Sequence, residues 1–175
     1  MTTFVNVTNM ARWAFDTGIE NITSGMLRYL ADDFRQWDAF EKVPRVASHS
    51  PIGVIELMPI SDSREYSFKY VNGHPSNPAR GFQTVTAFGM LADVDNGYPT
   101  FVAEMTILTA LRTAAVSALV AQRLARRDSR VHALIGTGSQ AEFQTLAMRG
   151  ALGMESLRVY DVDPRAMEKF RRNIE

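Results

Sequence analysis

The apolar positions of the chain repeat with two different periods. In SGMLRYLADDFRQWDAF, Met26, Leu27, Leu30, Phe34, Trp37 and Phe40 recur at helical spacing, and Ser24 stands where an N-cap belongs. This predicts an amphipathic helix beginning at Ser24. After Pro44 the texture changes to short β-like runs, RVASHS, GVIELMPI, EYSFKYV and TVTAFGMLADV. Asp95-Asn96-Gly97 between two apolar runs predicts a hairpin, because Asn and Gly tolerate the positive φ such turns demand. TILTALRTAAVSALVAQRLARRD then reads as a long helix, its small residues admitting a close neighbour and its basic last turn complementing the helix dipole.

A charged break at Arg127 to Arg130 predicts a domain boundary, with residues 1–128 before it and 129–175 after it. The first part reads as an α+β unit around a mixed or antiparallel sheet. The second reads as strand, glycine turn, helix (Ala141 to Gly150), strand (Leu157 to Tyr160) and the start of another helix at Pro164. That alternation opens a doubly wound domain, so the fold class expected is α/β.

The glycine turn carries the clearest chemistry. Gly136 and Gly138 follow the strand HALI directly, Ala141 takes the third position of the G-x-G-x-x-G/A form, and a helix follows. Small residues are needed there for the tight turn, for approach of backbone N–H groups to a pyrophosphate, and for strand–helix packing. Ser139 and Gln140 complete the turn. Asp161, at the end of the second strand, stands where a carboxylate can accept both ribose hydroxyls and would repel the extra phosphate of NADP. The cofactor expected is NAD.

Composition narrows the remaining classes. The 175 residues are 46% hydrophobic and 22% charged, with 19 basic and 19 acidic side chains. No basic stripe is available for a phosphate backbone, so neither nucleic acid nor an anionic membrane is an expected partner. No continuous run approaches the ~18 apolar residues of a membrane span, and the N-terminus lacks a signal-peptide pattern. A soluble cytoplasmic protein is the expectation. Without cysteine there is no thiolate nucleophile, thiolate metal site or disulfide. His49, His74 and His132 have no metal-ligand spacing, Asp93-Val94-Asp95 reads as turn chemistry, and Ser117 has no triad context.

Arg45, Lys69 and Arg112 each stand in an apolar or small-residue stretch, and Glu56 is a single carboxylate in GVIELMPI. Spacing alone is compatible with surface cations snorkelling over their own stems and with a carboxylate at a solvated edge.

RVASHS, GVIELMP, FKYVNGHPSNPARGFQTV, AFGMLADVDNGYPTFVAEMTILTALRTAAVSALVAQ and ALIGTGSQAEFQ together resemble the ornithine cyclodeaminase and mu-crystallin family. The resemblance runs from Val43 to Asp163. It implies a homodimer in which a substrate and dimerisation domain is joined to a Rossmann domain. It also implies conversion of L-ornithine to L-proline with loss of ammonia, using NAD without net redox change. Arg45, Lys69 and Arg112 would then meet the substrate carboxylate, and Glu56 the substrate amines, with Glu56 and Lys69 the catalytic candidates. Thr84, Arg112, Ser139, Gln140 and Asp161 match cofactor contacts. Members of the family are roughly twice as long, with their catalytic aspartate in a part corresponding to positions beyond Glu175. The 175 residues are therefore expected to be the front half of such an enzyme, inactive alone. A ketimine reductase, an amino-acid dehydrogenase of the same family and a non-catalytic dimerisation module are the alternatives.

Overall fold

The computed structural model describes all residues, Met1–Glu175. The fold is mixed α/β, as expected. The chain packs as two compact units, one comprising Met1–Trp13 and Arg35–Thr109, the other Ala14–Phe34 and Ala110–Glu175.

The first unit is built on a seven-stranded sheet made of β1 (Thr3–Val5), β2 (Glu41–Lys42), β3 (Val46–Ser50), β4 (Gly53–Ser61), β5 (Glu65–Gly73), β6 (Ala87–Asp93) and β7 (Pro99–Glu104). The order is β1-β7-β6-β5-β4-β2, with β3 also pairing β4. All pairings are antiparallel except β1 with β7. The β6–β7 turn is the expected one: Gly97 has φ +74° and its N–H donates to Asp93 O at 2.9 Å. The longer β5–β6 connection is tied by Asn72, whose Oδ1 accepts from the N–H of Thr86 at 2.7 Å and from its hydroxyl at 2.5 Å.

Register sorts the side chains onto two faces. Val46, Leu57, Tyr70 and Phe88 stand opposite one another across β3, β4, β5 and β6. Tyr70 stacks on Phe88 at 5.2 Å, and Phe68 meets the same ring edge-on at 6.2 Å. Much of this face is bare, with Val46 67% and Phe4 68% exposed and Leu57 and Phe88 each nearly half exposed. The opposite face carries Glu56, Lys69, Val71, Ala87, Gly89 and Ala103, of which Val71, Ala87, Gly89 and Ala103 are buried.

Helix α1 (Val7–Thr17) and helix α2 (Ile19–Arg35) are separated at Gly18, whose φ of +79° interrupts them. The expected start at Ser24 is therefore wrong by more than a turn. Glu20 lies in the first turn of α2, and Ser24 is an interior residue. The helix also ends before Phe40, replaced by a 3₁₀ turn over Trp37–Ala39.

In the second unit, α2 and most of α3 (Thr106–Leu124) pack with β8 (Val131–Ile135), α4 (Ala141–Leu152), β9 (Ser156–Tyr160) and α5 (Pro164–Ile174). By length and composition α3 could cross a membrane, a property the sequence runs had concealed. Its Ala110, Leu111, Ala114, Ala115 and Ala118 are nevertheless buried. Ala114 and Ala118 form a core with Ala147 of α4, against which Leu27, Phe143, Ala151 and Leu152 pack. Small side chains at this seam let the helix backbones come close, and Gln122 donates to Ala151 O at 3.1 Å across it. β8 and β9 are parallel, with α4 as the crossover between them.

Candidate active site

The first unit brings three of the expected substrate residues together. Glu56 of β4 and Lys69 of β5 share one sheet face: Lys69 is paired with Met58 and Glu56 with Val71, which makes them diagonal neighbours. Arg45, just before β3, extends its Nη1 to Glu56 Oε1 at 3.0 Å. Its side chain remains 59% exposed, whereas that of Glu56 is 18% exposed. Lys69 Nζ donates to Thr109 Oγ1 at 3.5 Å, a long contact with the first turns of α3. An arrangement of two cations and one carboxylate can hold a zwitterion, the cations meeting a carboxylate and Glu56 an amine. Thr84 lies in the β5–β6 connection, where its carbonyl accepts from His74 N–H at 2.8 Å.

The second unit gathers Gly136, Gly138, Ser139, Gln140 and Asp161 at the C-terminal ends of its two parallel strands. Gly136 has φ +93°, a conformation other residues adopt only under strain. A Cβ added at Gly138 would meet nothing within 4 Å, so this residue is not small for internal packing. Ala141 is buried, and the N-cap of α4, Gln140, makes no side-chain cap bond. Asp161 is already engaged. Its Oδ2 accepts from Thr137 N–H at 2.6 Å and from Thr137 Oγ1 at 2.8 Å, and its Oδ1 from Asp163 N–H at 2.9 Å. The N–H groups of Asp163 and Thr137 and the Thr137 hydroxyl hold its carboxyl at a pKa of about 2. Three of its acceptor positions are thus taken within the protein. Arg112 lies exposed on α3. Near it, burial and the Asp32 charge raise the Asp33 pKa, while Arg112 pulls it down.

Sequence reasoning missed the Arg45–Glu56 bond, the Thr109 contact and the Thr137 clamp. The only sequence signal for the last was a β-branched hydroxyl residue between two glycines.

A glycine turn between two parallel strands thus follows a sheet unit that brings Arg45, Glu56 and Lys69 together. The model of the ornithine cyclodeaminase/mu-crystallin family matches residues 7–175, and the chain belongs to that family. An ornithine cyclodeaminase of Agrobacterium fabrum is 57% identical over 172 residues, 98% of this chain and 49% of that protein. The chain thus spans about half the length of the curated relatives it matches. Among solved structures, a lysine cyclodeaminase described as recognising L-lysine, L-ornithine and L-2,4-diaminobutyric acid is similar at a TM-score of 0.90 and 29% identity, covering 99% of this chain and 53% of that one. An archaeal alanine dehydrogenase dimer with bound NAD is similar at 0.83 and 29% identity, covering 98% and 52%.

Proposed function

We propose that this chain forms the substrate side and the beginning of the cofactor side of an NAD-dependent ornithine cyclodeaminase, which converts L-ornithine to L-proline and ammonia. Residues 1–128 would supply the substrate and dimerisation domain, although 14–34 and 110–128 pack in the second compact unit, and 129–175 would supply the first βαβ part of the NAD domain. The observation that carries the reading is the meeting of Arg45, Glu56 and Lys69 on one sheet face in a chain so similar to an ornithine cyclodeaminase.

Arg45 and Lys69 would bind the substrate α-carboxylate, joined by Arg112, and fix the α-carbon in place. Glu56 would accept a proton from, or orient, a substrate amine. Gly136, Gly138, Ser139 and Gln140 would hold the pyrophosphate, with Thr84 and Arg112 as further contacts and Asp161 at the adenosine ribose. The residues fit the cofactor: the positive φ at Gly136 and the open space beside Gly138 are the features a backbone cradle needs. Bound NAD would supply a hydride acceptor that later returns the same hydride.

A second copy of the chain would cover the bare apolar sheet face of Phe4, Val46, Leu57 and Phe88, giving a homodimer. The dimeric state of the alanine dehydrogenase supports this. The same likeness favours one competing reading, an amino-acid dehydrogenase or ketimine reductase. The test is to incubate full-length protein with L-ornithine and NAD. Proline and ammonia without accumulation of NADH are expected; NADH formed in step with substrate loss would favour the dehydrogenase.

A further inference from the structure

We propose that Thr137 is a positioning residue for Asp161, clamping one carboxylate oxygen so that Oδ1 is the acceptor offered to the cofactor ribose. The inference rests on the NAD reading above and adds a residue to it.

The position between the two glycines carries no steric demand from a phosphate turn, yet Thr137 is 1% exposed and among the largest fully buried side chains of the protein. Both of its donors go to the same atom, the N–H to Oδ2 at 2.6 Å and the hydroxyl to Oδ2 at 2.8 Å. A carboxylate has about four acceptor sites, two on each oxygen. Thr137 fills those of Oδ2, and Asp163 N–H takes one on Oδ1. The backbone donor alone would permit the carboxylate to rotate and exchange its oxygens. The added hydroxyl opposes that rotation, since turning away would strand a buried O–H without a partner. A carboxylate so fixed meets a ribose hydroxyl without reorganising, and cannot withdraw from a 2′-phosphate. Thr137 would therefore contribute both to NAD affinity and to rejection of NADP.

The experiment titrates NAD and NADP against the full-length wild-type protein, Thr137→Val and Thr137→Ser. Valine keeps the shape and removes the hydroxyl; serine keeps the hydroxyl and removes the methyl group. Thr137→Val is expected to lose roughly tenfold in NAD affinity, the scale of a hydrogen bond to a charged group, and to narrow the gap between NAD and NADP. Thr137→Ser should keep both within about twofold. A carbon-NMR titration of the Asp161 carboxyl, near 2 in the wild type, should move upward in Thr137→Val only. Nucleotide affinities unchanged in Thr137→Val would overturn the proposal. So would a Thr137→Ser variant that loses the NAD preference, and this comparison decides the matter if the valine variant does not fold. Wild-type protein that binds neither nucleotide would instead refute the NAD reading, and this inference with it.

Discussion

Arg45 Nη1 lies 3.0 Å from Glu56 Oε1, so two groups assigned to the same substrate are bonded to each other. Under the proposed function a substrate carboxylate would have to take or share the guanidinium, while a substrate amine could share Glu56. Glu56→Gln removes the competing charge. This variant should bind L-proline, which has a carboxylate but no second amine, more tightly than the wild type, while ornithine turnover falls. Calorimetric titration with proline checks the first outcome and proline formation the second. Because Arg45 is largely exposed, Arg45→Ala should cost no more than about 1 kcal/mol of folding stability. A larger loss in chemical denaturation would assign the pair a structural role.

Gly89 sits on the same sheet face, paired with Lys69 on one side and Ala103 on the other. A Cβ there would come within 2.8 Å of Phe68 O and would collide with the Met105 side chain. Met105 can yield, but the Phe68 carbonyl belongs to the central strand of the sheet and cannot. Gly89→Ala should destabilise the protein by about 1–3 kcal/mol, as overpacking does. A wild-type unfolding midpoint in denaturant would contradict this.

These features separate what the sequence made legible from what it did not. The glycine turn and Asp161 could be placed because their chemistry is local, set by strand ends and a positive φ at Gly136. The α/β class followed from the alternation of strand and helix after Arg130. The start of α2 was misplaced because Ser24 is a good cap in the wrong place, and Gly18 was the actual punctuation. That Leu27 of α2 packs against the Ala114–Ala118–Ala147 seam of α3 and α4 could not be read, since that seam is formed by residues distant in sequence. Arg45 and Glu56 were both singled out, but their bond depends on the β3–β4 register, where Glu56 faces Ala47. Periodicity reports which face a residue occupies and is silent about its neighbour across the strand.

The carboxyl of Asp161 titrates at about 2 rather than 3.8 in the folded protein, through its bonds to Asp163 and Thr137. A depressed folded pKa adds stability above the unfolded value. That contribution is complete above pH 3.8 and is lost as the pH falls through about 2. The glycine turn should therefore loosen in this acidic window, seen as faster exchange of the Thr137 amide beyond the intrinsic pH dependence. Asp161→Asn, which places N–H donors against Thr137 in one of its two orientations, should weaken NAD binding roughly tenfold at neutral pH. Unchanged affinity would remove Asp161 from the ribose site.

Glu142, in the first turn of α4, holds α5 in place. Its Oε1 accepts from Lys169 Nζ at 2.7 Å and from Asn173 Nδ2 at 2.7 Å, one turn apart on α5. Burial pushes the Glu142 carboxyl upward, but the bonds from Lys169 and Asn173 outweigh it, and the pKa falls below 4.5. The carboxylate near the N-terminus of α4 also suits the helix dipole. Glu142→Ala leaves both α5 donors without their acceptor and should cost about 1–2 kcal/mol. Lys169→Met removes only the half-exposed partner and should cost less, because water already competes for that ammonium. The stabilisation should be present above pH 4.5 and fade as the pH drops through the lower folded value, so the difference between wild type and Glu142→Ala should shrink in acid. Denaturant unfolding of the wild type, both single variants and the double variant, at neutral and acidic pH, checks the order of effects and their sign. Equal losses in the two single variants would mean that Asn173 contributes nothing and that the clamp is the ion pair alone.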